Sequence, residues 1–393
     1  MTTPNDFSYH NHSYFTDKYF IYHETSAPKT TCIFGEESYN EGETVPLLCY
    51  HIICTSGIWV HTGMVNNRCR KARVYWDPHV KTFDNKHYNY HKPCNFSLVQ
   101  PGLIQTPKYG VYAQFAECIG LGTCIEKIVF KDNNNTVITI SVRNKEELTV
   151  FLNGKEFPVS SDTPSFMVQD GVQHPVLAWS QTGSNSRLLF AGSSNLVLEV
   201  SKNHVFLWLH PSLTDHYGLC GTSNGVQDDE FTTRSGNVVN SLTSFADSWM
   251  TDTQTSPECL TSQRFKRNII LNETGLCTLG NDTLLDLEAI CRQKVPVVQH
   301  SGQVVEAAEV NALMEACTFD LCLLYSNTGG NMTAIEEYID TVIADVVVRI
   351  IEIEADLIDV ESLTTIAPPN TTIARGRPKR RRTYLKIEQK VYL

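Results

Sequence analysis

The sequence predicts a mainly β protein: an antiparallel β-sandwich flanked by a small disulfide-rich β module and a small disulfide-rich helical module. Three observations support this fold class. Residues 72–252 contain few cysteines, and their apolar residues alternate with polar ones, as in half-buried strands. Residues 32–71 are rich in cysteine and poor in apolar residues. Residues 253–345 are again rich in cysteine, but their apolar residues recur at helical spacing.

Residues 1–31 are rich in Tyr, His and Thr without any period, and we expect an irregular N-terminal segment. They lack the basic start and the apolar centre of a signal peptide. If the protein is secreted, we therefore expect the sequence to be a fragment or an incomplete gene product.

The segment 32–71 places Cys32, Cys49, Cys54 and Cys69 among Gly, Asn and Thr residues. A segment this short, with so few apolar side chains, needs disulfide bridges to hold a shape. The composition therefore predicts a small stapled module.

The central segment 72–252 alternates with a period of two in several places. In "TVITISV", Ile138, Ile140 and Val142 share one face of a strand, with hydroxyl residues on the other. The dipeptide Asn153-Gly154 lies between two apolar runs and is the strongest short signal for a hairpin. "NLVLEVSKNHVFLWL" repeats the alternation. These patterns predict an antiparallel sandwich.

The segment 253–345 contains "TLLDLEAI" and "EVNALMEA", both at helical spacing and bracketed by cysteines. Apolar residues continue at this spacing from Ile335 to Ile350, opposite acidic residues, which predicts an acidic amphipathic helix. We expect residues 346–393 to hold the end of this helix and a basic disordered tail, because Pro368-Pro369 ends regular structure.

The tail concentrates positive charge in a chain whose formal net charge is -11. Its sequence "RGRPKRRR" resembles a motif in which arginines enter the minor groove of DNA. One copy in an otherwise acidic chain is a weak signal, and we do not expect nucleic acid to be a partner.

Thirteen cysteines and seven Asn-x-Ser/Thr sequons together favour an oxidising, extracellular location. No apolar run reaches the roughly 18 to 20 residues that a membrane span requires. The sequons are candidate N-glycosylation sites, at Asn11, Asn95, Asn134, Asn272, Asn281, Asn331 and Asn370.

Three ordered motifs resemble the von Willebrand factor type D domain. "WDPHVKTFDNKHYNYHKPCNFSLV" looks like the opening strands of that family, "GLCGTSNGVQDDEFTTRSG" like its closing loop, and "FADSWM" like the segment that follows. Residues 32–69 resemble a type C repeat, and "LEAICRQ" and "LMEACTFDLC" resemble the cysteine-rich helical module found after type D domains. This order is similar to that of the crossveinless and kielin class of modulators.

The resemblance implies a secreted, non-enzymatic protein that binds a growth factor of the bone-morphogenetic-protein (BMP) class, or another extracellular protein, through residues 32–71. The alternative is a structural matrix, mucin-like or clotting component that forms disulfide-linked assemblies. Two departures weaken that alternative: Tyr217 stands where multimerising relatives carry a second cysteine, and Ala72 replaces another cysteine.

The loop "CGTSNGVQDDEF" has the oxygen-rich side chains that calcium prefers. Asn224, the Val226 carbonyl, Asp229 and Glu230 are candidate ligands, and the resemblance adds Asp77 from the opening strand. The alternative interpretation is an acidic solvated turn built around Asn224-Gly225.

Asp77-Pro78 is also a candidate acid-labile bond, since some relatives cleave themselves at the equivalent Gly-Asp-Pro-His. Here Trp76 replaces the glycine, and a bulky residue disfavours the backbone conformation that cleavage needs. The competing interpretation is an intact strand with His79 in the core. Basic residues in "RFKR" form a candidate convertase site, at Arg264, Lys266 and Arg267.

For the remaining cysteines, the resemblance implies a long bridge between Cys94 and Cys259. Cys118 and Cys124 are candidates for a local bridge, and the other pairings stay open. The sequence contains no GxSxG, HExxH or P-loop motif, so we do not expect an enzyme.

Overall fold

The computed structural model describes residues 31–34, 37–44, 49–65, 69–76, 78–117, 123–133, 135–142, 148–159, 165–181, 187–251, 259, 279–295, 299–300, 303–304 and 307–350. In chain order the strands are β1 (Thr31–Phe34), β2 (Glu37–Asn40), β3 (Tyr50–Thr55), β4 (Ile58–Val65), β5 (Arg70–Tyr75), β6 (His79–Lys81), β7 (His87–Asn89), β8 (Cys94–Pro101), β9 (Gly110–Glu117), β10 (Thr123–Asn133), β11 (Thr136–Ser141), β12 (Thr149–Leu152), β13 (Lys155–Glu156), β14 (Ser165–Gln169), β15 (Val172–Gln181), β16 (Arg187–Gly192), β17 (Leu196–Val200), β18 (His204–Leu209), β19 (His216–Tyr217), β20 (Gln299–His300) and β21 (Gln303–Val304).

Two large sheets form the centre of the protein. One has seven strands in the order β13-β12-β11-β10-β9-β8-β19, and the other has eight in the order β14-β15-β16-β17-β18-β5-β6-β7. Neighbouring strands within both sheets run antiparallel. This arrangement confirms the predicted fold class.

The hairpin predicted at Asn153-Gly154 is present between β12 and β13. Asn153 has φ 48° and Gly154 has φ 83°, the left-handed values that a tight two-residue hairpin turn requires. The Asn153 side chain also accepts the backbone N–H of Val137 at 2.9 Å, which ties the turn to the next hairpin.

The core lies between the two sheets. Phe96, Phe115 and Phe130 from the seven-stranded sheet and Phe190 and Leu207 from the eight-stranded sheet are buried in one apolar cluster. On β11 the pattern is buried at Thr136, Ile138 and Ile140 and half-buried between them, so one face of this strand points inward as its alternation predicts.

The eight-stranded sheet is covered on its outer face as well. Every residue of β18 is buried, because Val205, Leu207 and Leu209 face the core while Phe206 and Trp208 pack under the flanking modules. A strand that is buried on both faces has a continuous apolar sequence, and "VFLWL" is such a sequence.

Helices form most of that cover. They are α2 (Asn281–Lys294), α3 (Ala307–Thr328) and α4 (Met332–Tyr338), which continues through the π-helical turn Ile339–Ile343 to residue 350. The short helix α1 (Leu242–Ser248) packs instead against the core between the two sheets. The disulfide Cys291–Cys317 joins α2 to α3. Among the described residues, no helix is long and apolar enough to cross a membrane.

The N-terminal hairpins β1–β2 and β3–β4 are stapled by two bridges, Cys32–Cys54 and Cys49–Cys69. Phe34 and Ile52 pack in the same apolar cluster as Trp208 and the helices. The hairpins and the helices therefore share one layer over the outer face of the sheet.

Buried polar contacts fasten α3 and α4 to the opening strands. His79 Nε2 lies 2.8 Å from Asp320 Oδ1, and the Tyr338 hydroxyl donates to Asp320 Oδ2 at 2.8 Å. The Trp76 indole N–H donates to the Val342 carbonyl at 3.2 Å. These groups fix how the helices sit on β5 and β6.

Ion pairs complete the attachment. Lys81 Nζ lies 2.6 Å from Glu309 Oε2, in the first turn of α3. Arg349 donates through Nε to Glu199 Oε1 at 2.8 Å and through Nη2 to Glu199 Oε2 at 2.5 Å. His204 Nε2 also lies 3.2 Å from Glu199 Oε1. Glu199 is fully buried, and Arg349 and His204 together compensate its negative charge.

Candidate functional site

The predicted loop lies at one end of the sandwich, against the turn that joins β6 to β7. Phe83 N–H donates to the Cys220 carbonyl at 3.0 Å, and this bond aligns the two segments. Phe83 and Cys220 are about 140 residues apart in the chain. The disulfide Cys94–Cys259 is a second long-range link, over a sequence separation of 165 residues.

Asp84 caps the loop from the β6–β7 turn. Its Oδ2 accepts the backbone N–H groups of Asn224 at 3.0 Å and Gly225 at 2.8 Å. Arg70 Nε lies 3.7 Å from the other carboxylate oxygen. A carboxylate that accepts two backbone N–H bonds holds the loop in a single shape.

Glu230 lies beneath the loop and is fully buried. Its Oε1 accepts the N–H of Asp84 at 3.0 Å, and its Oε2 accepts the N–H of Thr222 at 3.1 Å. Burial, and then the charge of Asp84, raise the pKa of Glu230 to about 8. Two carboxylates thus face each other across the turn and the loop.

Asn224 and Asp229 close the exposed side of the loop. Asn224 Nδ2 donates to Asp229 Oδ2 at 2.6 Å, while Asn224 Oδ1 accepts the N–H of Val226 at 2.8 Å. Thr222 Oγ1 donates to Asp229 Oδ1 at 3.0 Å. Residues 227–229 form a short 3-10 turn that places Asp229 in this position.

The structure therefore brings together four of the residues predicted from the sequence: Asn224, Val226, Asp229 and Glu230. Asp77 lies outside the described residues, and its role stays a prediction. The carboxylate that the structure places against the loop from the opening strands is Asp84, which the sequence analysis missed.

The donor set at this loop is all oxygen, as a hard cation such as calcium requires. Within the described residues, however, no three His, Cys, Asp or Glu side chains are arranged to hold a metal ion. The carboxylate oxygens of Asp229 and Glu230 each accept a hydrogen bond already. Asp84 and Glu230 lie close enough together that the charge of Asp84 contributes to the raised pKa of Glu230.

The structure joins Cys94 to Cys259, the pair that the resemblance implies. Cys124 is disulfide-bonded, while Cys118 lies outside the described residues. Cys220 is the free cysteine among the described residues; it is buried, and burial followed by the charge of Glu230 raises the pKa of its thiol.

The structure describes both neighbours of Asp77. Trp76 adopts φ 52°, a left-handed value that bulky residues rarely adopt. The Trp76 ring is buried, and the Trp76 backbone N–H donates to the Asn203 carbonyl at 3.0 Å. His79 is buried, as the intact-strand interpretation expects, with Nδ1 2.7 Å from Asn89 Oδ1. Cleavage itself stays a prediction.

Several other predicted sites fall outside the described residues. They are the convertase residues Arg264, Lys266 and Arg267 and the sequons at Asn11, Asn134, Asn272 and Asn370.

Comparison with known proteins gives a family match for the central segment. Residues 72–237 match the von Willebrand factor type D domain family. Human Mucin-19 is 26% identical over 238 residues, covering 58% of this chain and 2% of Mucin-19. Human Mucin-2 is 24% identical over 307 residues, covering 76% of this chain and 5% of Mucin-2. Chicken SCO-spondin is 24% identical over 226 residues, covering 56% of this chain and 4% of SCO-spondin.

The chain thus spans a small fraction of the length of these relatives. The segment that matches the von Willebrand factor type D domain family, residues 72–237, contains most of the two antiparallel sheets and the loop braced by Asp84.

Proposed function

We propose that this protein is a non-enzymatic, extracellular structural component of the mucin-like kind, with the type D sandwich as its rigid unit. The match of residues 72–237 to the type D family carries the proposal. Six of the described cysteines outside the sandwich are paired with one another, which supports an oxidising location. The pairs are Cys32–Cys54, Cys49–Cys69 and Cys291–Cys317.

We expect this component to assemble through surfaces rather than through intermolecular disulfides. Cys220 is buried, and Tyr217 stands three residues before it, where a second thiol would be needed for an exchange-active pair. The test is to express the full chain behind a secretory leader and to measure its location and its mass under non-reducing conditions. Disulfide-bonded protein in the medium supports the proposal, and reduced protein retained in the cell contradicts it.

Calcium is the cofactor that we propose for the loop. Asp84, Asn224, the Val226 carbonyl, Asp229 and Glu230 would hold the ion, with Asp77 as the further ligand expected from the sequence. The bound ion would offset the repulsion between the carboxylates of Asp84 and Glu230 and would brace the β6–β7 turn against the loop.

Calorimetry on the full chain, stripped with a chelator, tests this cofactor. Asp229→Asn removes a charge from the proposed ligand set, and Asp228→Asn removes the same charge from the neighbouring exposed residue. Loss of calcium binding in Asp229→Asn alone supports the site. Equal binding by both variants and the parent chain contradicts it.

The binding of a growth factor of the BMP class through residues 32–71 is the finer hypothesis. Deletion of this segment is a poor test, because Phe34 and Ile52 belong to the apolar layer over the sheet. Ile33 is 57% exposed on β1 and offers a surface change instead. Val172→Glu, at a similarly exposed residue of the sandwich, is the control. Loss of affinity for such a factor in Ile33→Glu alone supports contact through the hairpin. Unchanged affinity in both variants contradicts it.

A further inference from the structure

Two exposed apolar side chains of the helical module lie beside sequon asparagines. Leu285 is 61% exposed on α2 and Met332 is 43% exposed at the start of α4. Leu285 lies one helical turn from Asn281, on the same face, because residues four apart are neighbours on a helix. Met332 directly follows Asn331. A third exposed apolar residue, Val348, has no sequon near it in the sequence.

The Asn331 side chain can cap the helix and carry a sugar at the same time, because the two roles use different atoms. Its Oδ1 accepts the backbone N–H groups of Thr333 at 3.1 Å and Ala334 at 3.3 Å, and so caps α4. N-glycosylation modifies Nδ2 and leaves Oδ1 in place. Asn331, Met332 and Thr333 are all exposed.

Asn281 is the first residue of α2 and is also exposed. The N-cap position is Gly280, so helix capping does not occupy the Asn281 side chain. The third residue of this sequon, Thr283, is half-buried. Both asparagines therefore stand at helix starts on the surface of the module.

We propose that Asn281 and Asn331 carry N-linked oligosaccharides that cover Leu285 and Met332, an inference that rests on the proposed extracellular function. The donor is an oligosaccharide carried on a lipid pyrophosphate. Asparagine Nδ2 bonds to the anomeric carbon, the bond from that carbon to the pyrophosphate oxygen breaks, the lipid pyrophosphate leaves, and one Nδ2 proton passes to a base.

The sequon at Asn95 is less accessible than those at Asn281 and Asn331. Asn95 is half-buried within β8, and the next two residues, Phe96 and Ser97, are fully buried. The Asn95 carbonyl accepts the N–H of Thr251 at 2.9 Å, so this strand is flanked on both sides. A glycan on the folded domain is therefore expected at Asn281 and Asn331 and not at Asn95.

Site-by-site mapping of the secreted full chain tests the proposal. An amidase that removes N-glycans converts an occupied asparagine to aspartate, and peptide mass analysis reports each site. We expect conversion at Asn281 and Asn331. Thr283→Ala and Thr333→Ala should each remove one oligosaccharide, and Asn331→Asp should remove the same one while keeping the Oδ1 cap.

A second readout tests the covering role. Met332 should form its sulfoxide faster under dilute peroxide in both Thr333→Ala and Asn331→Asp than in the glycosylated parent chain. Equal oxidation rates would overturn the covering role.

The outcomes separate this proposal from the proposed function. Secreted, disulfide-bonded protein with unmodified Asn281 and Asn331, or with Asn95 modified in their place, overturns the glycan sites and leaves the extracellular function standing. If the chain is retained and reduced, the extracellular function fails. The same map on chain translated into microsomes then decides the sites, and unmodified Asn281 and Asn331 there overturn them as well.

Discussion

Glu230 lies so close beneath Gly221 that a Cβ atom on residue 221 would stand 1.4 Å from Glu230 Oε2. Gly221 also has φ +76°, which side chains rarely adopt. The loop can fold over the buried carboxylate only because this residue is glycine. The loop and the acid beneath it are therefore a single structural unit.

Gly221→Ala should destabilise the sandwich by roughly 3 kcal/mol or more, because backbone strain adds to a clash with a buried carboxyl group. Gly171→Ala is the matched control, with φ +79° and nothing within 4 Å of the added atom. It should cost about 1 kcal/mol, from backbone strain alone. Chemical denaturation of both variants measures the difference, and equal losses would show that Glu230 moves aside freely.

Glu230 makes the stability of the domain depend on pH. Its pKa is raised to about 8 from an ordinary value of 4.5, so its contribution is present in full below pH 4.5 and is lost as the pH rises through 8. In chelator, the parent chain should lose free energy of unfolding as the pH rises from 4.5 to 8, and Glu230→Gln should lose less. The glutamine provides one acceptor for two N–H groups, so the slopes are compared and not the absolute stabilities. Parallel slopes would contradict this assignment.

His87 makes the stability depend on pH in the opposite direction from Glu230. Burial, and then the charges of Arg73 and Lys81, lower its pKa from 6.5 to about 3. The folded protein must keep this ring neutral, so it loses stability as the pH falls from 6.5 towards 3. Across that range, the thermal midpoint of His87→Gln should fall less than that of the parent chain. An unchanged difference between the two proteins at every pH would contradict the prediction.

Removing only the arginine of the Arg349–Glu199 ion pair should lower the free energy of unfolding substantially. Arg349→Met leaves the fully buried Glu199 with His204 alone and should destabilise the fold by about 3 kcal/mol. Arg292→Met breaks an exposed pair with Glu288 on α2 and should cost less than about 0.5 kcal/mol. Hydrogen exchange should localise the first effect to residues 339–350. Similar costs for both variants would show that the C-terminal helix is not anchored at Glu199.

Local patterns predicted the fold well. The alternation around Ile138 and Ile140 and the Asn153-Gly154 turn specify strands and a hairpin from neighbouring residues alone, and the structure has both. The outer cover of the eight-stranded sheet did not follow from alternation. Its signal was the unbroken apolar run at Phe206 and Trp208, which indicates a strand buried on two faces.

The candidate site was only partly predictable. Asn224, Asp229 and Glu230 are close in sequence, so their composition alone indicates an oxygen-rich loop. Asp84 lies 140 residues from Asn224, and only the antiparallel pairing of the sheets brings its carboxylate to the loop. The raised pKa of Glu230 likewise depends on burial, which composition does not specify.

The most direct measurement is a disulfide and thiol map of the full chain collected from the medium of secreting cells. We predict a chain without intermolecular bridges, with Cys94 joined to Cys259 and with Cys220 alkylated only after unfolding. A Cys220 thiol that reacts in the folded protein, or a bridge from Cys220 to a second chain, would contradict the intramolecularly stapled structural unit proposed above.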